Sequence, residues 1–323
     1  METAQLVRTK NATDKKPYFE VVPGVWGMKL AFVNIYMISK EPFSNEWVLI
    51  DAAIKPSARK IIKMAESIFG QGTQPSAIIL THGHFDHVGA LKDLLEHWDV
   101  PVYAHRLEMP YLTGISSYPP PDPTVGGGLM ASLSWMFPKG PVDLKEFISE
   151  LPADGSLPVL SGWKYYHTPG HAPGHISLFR EEDKVLIAGD AFVTTKQESA
   201  FSVMTQKKEL SGPPKYFTSD WIAAAKSVKI LQELDPETAA TGHGMPMKGF
   251  ELKTALKNLV DNFQSLAVPH QGRYIIQPAI TNEQGVQYVP PQQYDPLVRA
   301  SVFALAALSL FSLVLRFRKR KSE

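Results

Sequence analysis

Cysteine is absent from all 323 residues, which excludes disulfides and thiolate metal sites. Any metal centre in this chain must therefore be built from imidazole and carboxylate, a donor set that suits zinc, iron or manganese. An excess of one charge is also missing. The 33 Lys and Arg balance 32 Asp and Glu, so a nucleic-acid binder driven by bulk positive charge is disfavoured. The first twenty residues, METAQLVRTKNATDKKPYFE, form a polar extension (1–20) without the apolar stretch of a secretory signal. No short tandem repeat divides the chain. Apolar residues, by contrast, make up 44% of it, enough for one large domain with an ample core.

Near the other end, Ala300 to Leu315 (ASVFALAALSLFSLVL) runs sixteen residues without a charge and is followed by RFRKRK. As a helix it would reach about 24 Å, and adding Leu297 to Arg299 brings it near a ~30 Å hydrocarbon core. Its apolar residues lie all round the helix, which predicts a membrane-anchor helix over 297–316 and a basic tail over 317–323; a buried terminal helix is the alternative. Five basic residues after the helix favour a cytoplasmic tail, yet no signal is present to export the rest. The expectation is a membrane partner with the catalytic domain on the cytoplasmic side.

Between these ends, short β-branched and aromatic runs (GVWGMK, VNIYMIS, EWVLIDAA) read as strands. SARKIIKMAESIFG reads as a helix stopped by Gly70. AIIL is a short buried strand, and Leu91, Leu94, Leu95 and Trp98 predict a helix soon after it. Residues 106–158 lose regularity, with prolines and the triplet Gly126–Gly128, but carry Leu129, Met130, Leu133, Trp135, Met136 and Phe137. This apolar insertion is expected to be a lid or pocket wall. WKYYHTP, HISLFR and KVLIAGDAFV predict further strands, followed by two helices and an extended linker over 269–296. Two β-rich halves with helices predict two sheets face to face with helices outside, an α/β architecture spanning a 21–268 domain.

The chemistry is concentrated in THGHFDHVGA, which places His82, His84, Asp86 and His87 directly after AIIL. His82 and His84, two apart on extended chain, point to one side; Asp86 and His87 follow as the chain turns. HTPGHAPGH adds His171 between Pro-Gly turns, IAGD ends a strand with Asp190, and TGHG ends another with His243. One short segment can thus feed two adjacent cations, and carboxylates between them offset their repulsion. His175 reads as a hydrogen-bond partner and not a ligand. His97, His105, His167 and His270 read as ordinary polar residues, His105 being the one nearest a pocket.

The ordered set HxHxDH, TPGH, GD and GHG resembles the metallo-β-lactamase superfamily over roughly Gly24 to Phe250. The resemblance implies an αββα four-layer sandwich and two divalent metal ions, zinc before iron or manganese. It implies His82, His84 and His171 on the first metal, Asp86, His87 and His243 on the second, and Asp190 bridging. Asp86 and Asp190 are the candidate catalytic carboxylates. Asp51, in VLIDAA, matches an aspartate that buttresses the ligand loop; the glycine usual two residues later is Ala53 here. The implied activity is cleavage of a lactone, ester or thioester of a small molecule by a metal-bridging hydroxide, with no nucleic acid as partner. Asp190 argues against antibiotic cleavage, since enzymes of that type usually lack the bridge. The alternatives are a glyoxalase II-like thioesterase, for which the chain after His243 holds little helix, and a persulfide dioxygenase-like enzyme with a single iron.

Overall fold

Alternation along β3 (Val33–Ser39) sets the plan of the molecule. Val33, Ile35 and Met37 turn to one apolar layer while Tyr36 and Ile38 turn to another, the period of two that a strand buried on both faces requires. The computed structural model describes residues 17–41, 44–205 and 207–292. Its first sheet runs in sequence order: β1 (Phe19–Val22), β2 (Val25–Leu30), β3, β4 (Trp47–Ile50), β5 (Ala77–Ile79), β6 (Val102–Ala104) and β7 (Ile148–Glu150). β1 to β4 pair antiparallel and β4 to β7 parallel. The second sheet, in the order β12-β11-β10-β9-β8, comprises β8 (Trp163–His167), β9 (Ile176–Arg180), β10 (Val185–Gly189), β11 (Thr238–Thr241) and β12 (Met247–Lys248).

Three apolar layers bind these sheets into the expected αββα sandwich. Val48, Ile50 and Ile79 meet Leu178, Ile187 and Ala240 between the sheets. The outer face of the first sheet packs on α1 (Ala58–Phe69) and α3 (Leu91–Leu95), which follows the single turn α2 (Phe85–Val88). Gly70 ends α1 at φ 104°, and its N–H is donated to the Glu66 carbonyl. The outer face of the second sheet packs on α7 (Trp221–Glu233) and α8 (Gly249–Asp261), extended by α9 (Phe263–Leu266). Asp220 caps α7 by accepting the Ile222 and Ala223 N–H groups, a contribution of about 1 kcal/mol.

The irregular insertion folds into short turns, among them α4 (Met109–Leu112) and α5 (Leu129–Ser132); α6 (Ala200–Thr205) lies outside it, after β10. β7 falls inside the stretch expected to be irregular; three residues give alternation too little length to show. Residues 269–292, the described part of the expected linker, carry a hairpin of β13 (Ile280–Asn282) and β14 (Gly285–Tyr288). This segment is tied to the insertion: Asp122 accepts the Arg273 N–H, and the Tyr274 hydroxyl donates to the Pro120 carbonyl at 2.6 Å.

The membrane-spanning helix expected as part of this fold is corrected. Among the described residues no helix is long and apolar enough to cross a membrane. The longest, α7 and α8, have 13 residues each and present charged outer faces. At 1.5 Å per residue they reach only about 20 Å. The segment 297–316 that suggested an anchor lies outside the described residues, and the localisation expected from it, a membrane-anchored chain with its catalytic domain in the cytoplasm, is corrected to what the described residues show: none of their helices is long and apolar enough to cross a membrane.

Topology decides where chemistry can sit. β4, β5 and β6 are parallel, and β8, β10 and β11 share one direction in the other sheet. The carboxyl ends of all six open on one edge of the sandwich.

Candidate metal centre

Asp51 follows β4, Thr81 to His84 follow β5, His171 follows β8, Asp190 follows β10, and His243 follows β11. All seven residues expected as ligands are buried and meet at this edge. Three overlapping triads form, each with ligand atoms within 4.8 Å of one another: His82, His84 and His171; His82, His87 and Asp190; Asp86, His87 and His243. Asp190 Oδ2 lies 3.0 Å from His243 Nε2, 3.5 Å from His171 Nε2 and 3.7 Å from His87 Nε2. It is the common neighbour of both halves. His84 Nδ1 and His171 Nε2 face each other at 2.9 Å, and Asp86 Oδ2 stands 3.6 Å from His243 Nε2.

The outward nitrogens are held, which fixes the tautomers. His87 donates its Nδ1–H to Asp51 Oδ2 at 2.8 Å, and His243 donates its Nδ1–H to the Phe32 carbonyl at 2.7 Å. The Thr81 hydroxyl donates to Asp51 Oδ2, so its oxygen accepts from His82 Nδ1–H at 3.1 Å. In each of these three rings Nε2 is left pointing inward. Asp51 also accepts the Thr81 N–H at 2.7 Å, and so ties the histidine loop from outside the cluster. His175 is spent elsewhere: it accepts the Asp190 N–H at 2.8 Å through Nε2 and donates Nδ1–H to Thr168 Oγ1 at 2.8 Å. The Thr168 hydroxyl continues to Ser177 Oγ at 3.0 Å, and Ser177 donates to the Ala188 carbonyl at 2.9 Å.

Burial dominates the electrostatics. It holds His82 and His84 well below the usual imidazole range and brings His171 down to about 3, so these rings are neutral with lone pairs available. Burial opposes charge on His87 and His243 as well, but the carboxylates around them outweigh it and raise both. Burial pushes Asp190 up, yet His243 and His87 hold it well below the usual carboxylate range. Asp86 is raised by burial.

A cation fits this set. His82 Nε2, His87 Nε2 and Asp190 Oδ1 are buried and find no hydrogen-bond partner among the described residues; the 3.7 Å from His87 to Asp190 is too long to count. Buried polar atoms left unmatched cost about 1–3 kcal/mol each, and a divalent cation is bound by such imidazole nitrogens and carboxylate oxygens in their deprotonated form. Three such atoms in one cluster are a donor set awaiting an acceptor of electron pairs.

What the sequence did not reveal is an aromatic wall. Phe217 stacks on His84 with ring centroids 4.5 Å apart, and Phe32 on His243 at 6.2 Å. Phe85 and Phe137 meet at 5.6 Å beside them. Phe217 and its neighbour Tyr216 come from PPKYFTSD, where the adjacent aromatics after a proline pair were the available signal. Within the expected lid, Phe137 turns to this wall while Trp135, 67% exposed, turns to solvent. His105 stays outside the cluster, stacked on His167 at 4.2 Å. A cavity of about 530 Å³ lined by Trp26, Trp163 and Arg180 shares no residue with the centre.

The family model described as the metallo-beta-lactamase superfamily matches residues 28–243, from β2 to the last histidine of the cluster. The chain belongs to the metallo-beta-lactamase superfamily. It is 48% identical over 248 residues to "Probable metallo-hydrolase YflN" of Bacillus subtilis (strain 168), an alignment covering 77% of this chain and 94% of that one. "Hydroxyacylglutathione hydrolase GloC" of Haemophilus influenzae is 28% identical over 49% of this chain and 71% of its own length. Among solved structures, a metallo-beta-lactamase family protein from Thermus thermophilus superposes with a TM-score of 0.51 at 20% identity, covering 76% of this chain and 81% of that one. This superfamily member is a metal-dependent hydrolase.

Proposed function

We propose that this hydrolase cleaves a lactone, ester or thioester of a small molecule with an apolar acyl part. Two divalent cations, zinc before iron or manganese, would be held by His82, His84 and His171 and by Asp86, His87 and His243, with Asp190 available to both sets. The observation that carries this reading is the position of Asp190 Oδ2 within 3.7 Å of histidines from both sets. Bound there, the cations supply a polarised carbonyl and a water whose pKa falls towards about 7.

The chain's own groups do the rest. Phe85, Phe137 and Phe217 exclude water beside the cluster and offer an apolar surface to the acyl chain. Tyr216 is buried, and burial together with the charge on Asp86 and Glu198 keeps its phenol protonated, a hydrogen-bond donor for a carbonyl oxygen. Asp86 is the most exposed of the seven at 7%, placed to hold the proton that a leaving oxygen or sulfur needs. No side-chain nucleophile is required.

The hydroxyacylglutathione hydrolase named above favours the thioester within this class. The chain beyond His243 offers, among the described residues, only the edge strand β12, α8, α9 and one hairpin to embrace a larger thiol. Metal analysis of the purified protein combined with a screen over lactones, esters and thioesters of graded chain length tests the proposal. Two zinc ions per chain and turnover rising with acyl length are expected. One iron per chain with oxygen consumed on a persulfide would replace this reading with the dioxygenase.

A further inference from the structure

Glu108 belongs to none of the ligand triads, yet it is fully buried. It ends the short turn Arg106–Glu108 after β6, and three donors converge on its carboxylate. Oε1 accepts the Gly174 N–H at 2.6 Å. Oε2 accepts the Gly83 N–H at 2.8 Å and the Tyr118 hydroxyl. Gly83 lies between His82 and His84, and Gly174 lies between His171 and His175. One side chain therefore grips the histidine loop of each sheet.

The two glycines make this approach feasible. A Cβ at Gly83 would sit 2.5 Å from the Tyr118 hydroxyl, and one at Gly174 would sit 2.7 Å from the Glu108 nitrogen. Tyr118 is itself fixed, its ring stacked on Tyr111 at 4.0 Å and set edge-on to His84 at 4.6 Å. A buried carboxylate is costly unless its lone pairs are matched, and here all the matching comes from groups flanking the cluster.

We propose that Glu108 is a positioning residue that sets the separation of the two loops, and so the geometry of the His82, His84 and His171 set; this rests on the reading of those three as ligands of one cation. Glutamine keeps the volume of Glu108 but turns one acceptor into an NH₂ donor. That group would confront the Gly83 or Gly174 N–H. A residue that only fills space tolerates this change, whereas a clamp does not.

The test is a cobalt(II) titration of the metal-free full chain, followed by visible absorption, for wild type, Glu108→Gln and Tyr118→Phe. Wild type is expected to take up two equivalents. Glu108→Gln is expected to bind one of the two about 10- to 100-fold more weakly, with a changed spectrum for that site and an unaltered second step. Tyr118→Phe should shift the same step by a smaller factor. Should circular dichroism show Glu108→Gln unfolded, Tyr118→Phe decides by the same criterion. Wild-type affinity and spectrum in the folded variants, or equal weakening of both steps, would overturn the clamp. A wild-type chain that takes up no cobalt would instead overturn the reading of the centre, and the inference with it.

Discussion

Replacing Asp51 with asparagine isolates what the support behind the histidines is worth. Asp51 accepts three hydrogen bonds, from Thr81 N–H, Thr81 Oγ1–H and His87 Nδ1–H, all between 2.7 and 2.8 Å. Its backbone sits at φ 62°, a left-handed conformation that asparagine adopts as readily as aspartate, so the exchange reads the side chain alone. The amide has one acceptor oxygen. If that oxygen stays on His87, the NH₂ faces the Thr81 N–H; if it is reversed, the NH₂ donates to His87 Nδ1 and moves the ring's proton to Nε2, towards the cluster. Either way one charge-assisted bond is lost and one buried donor is stranded, about 2–4 kcal/mol in all. Part of this appears as stability of the metal-free chain and part as affinity for a cation at His87, expected to fall about 10- to 100-fold. Urea unfolding measures the first and competition with a chromogenic chelator the second. Wild-type metal affinity with a stability change below about 0.5 kcal/mol would refute the assignment of Asp51 as the buttress.

Asp190→Ala and His84→Ala should abolish hydrolysis while circular dichroism shows a folded chain; activity within tenfold of wild type for Asp190→Ala, under about 1.4 kcal/mol of barrier, would sink the shared-metal arrangement. Phe137→Ala should raise KM for long acyl chains more than for short ones, and more than Trp135→Ala does, since only Phe137 packs against Phe85 and Phe217; equal effects would remove Phe137 from the pocket wall. Gly242→Ala puts a Cβ 2.0 Å from Asp190 Oδ1, and a loss of two orders of magnitude or more in kcat/KM is expected, unchanged kinetics meaning that the loop yields. Trp47→Ala removes a buried ring stacked on Phe69 at 4.9 Å and should cost about 3–5 kcal/mol in denaturant unfolding, with a cost under 1 kcal/mol counting against that packing.

The cluster was legible because four of its residues are neighbours along the chain: His82 to His87 announce themselves without a fold. His171, Asp190 and His243 were legible as strand-end residues, since each follows an apolar run that ends in a glycine-marked turn. The outer helices showed through periodicity and, for α1, through the stop at Gly70. Contacts made only by folding left weaker marks. Glu108 stands in LEMPYL, where a lone carboxylate amid apolar residues was a signal without a partner, because Gly83 and Gly174 are distant in sequence. Phe217 and Phe32 reach the centre from segments 185 residues apart; Phe217 had only its place beside Tyr216 after a proline pair as a signal, and nothing local distinguishes Phe32 from a core aromatic. β7 and the hairpin β13–β14 fail for a different reason. Strands of three or four residues complete barely one period of alternation, and their pairing is imposed by neighbours already in place.

The hydrogen bonds that run from the Asp190 peptide through His175, Thr168 and Ser177 to the Ala188 carbonyl begin and end on the same stretch of chain. A peptide N–H can only give and a carbonyl can only receive, so the ring has a fixed polarity and each proton in it has one permitted place. A second proton on His175 would leave two N–H groups confronting each other at Asp190, which makes this imidazole a one-way relay of orientation and not a store of charge. The circuit anchors Asp190 through its backbone alone. Neither carboxylate oxygen is drawn into this circuit, so the peptide of Asp190 is fixed while its Oδ2 stays turned to His243 and its Oδ1 finds no partner among the described residues.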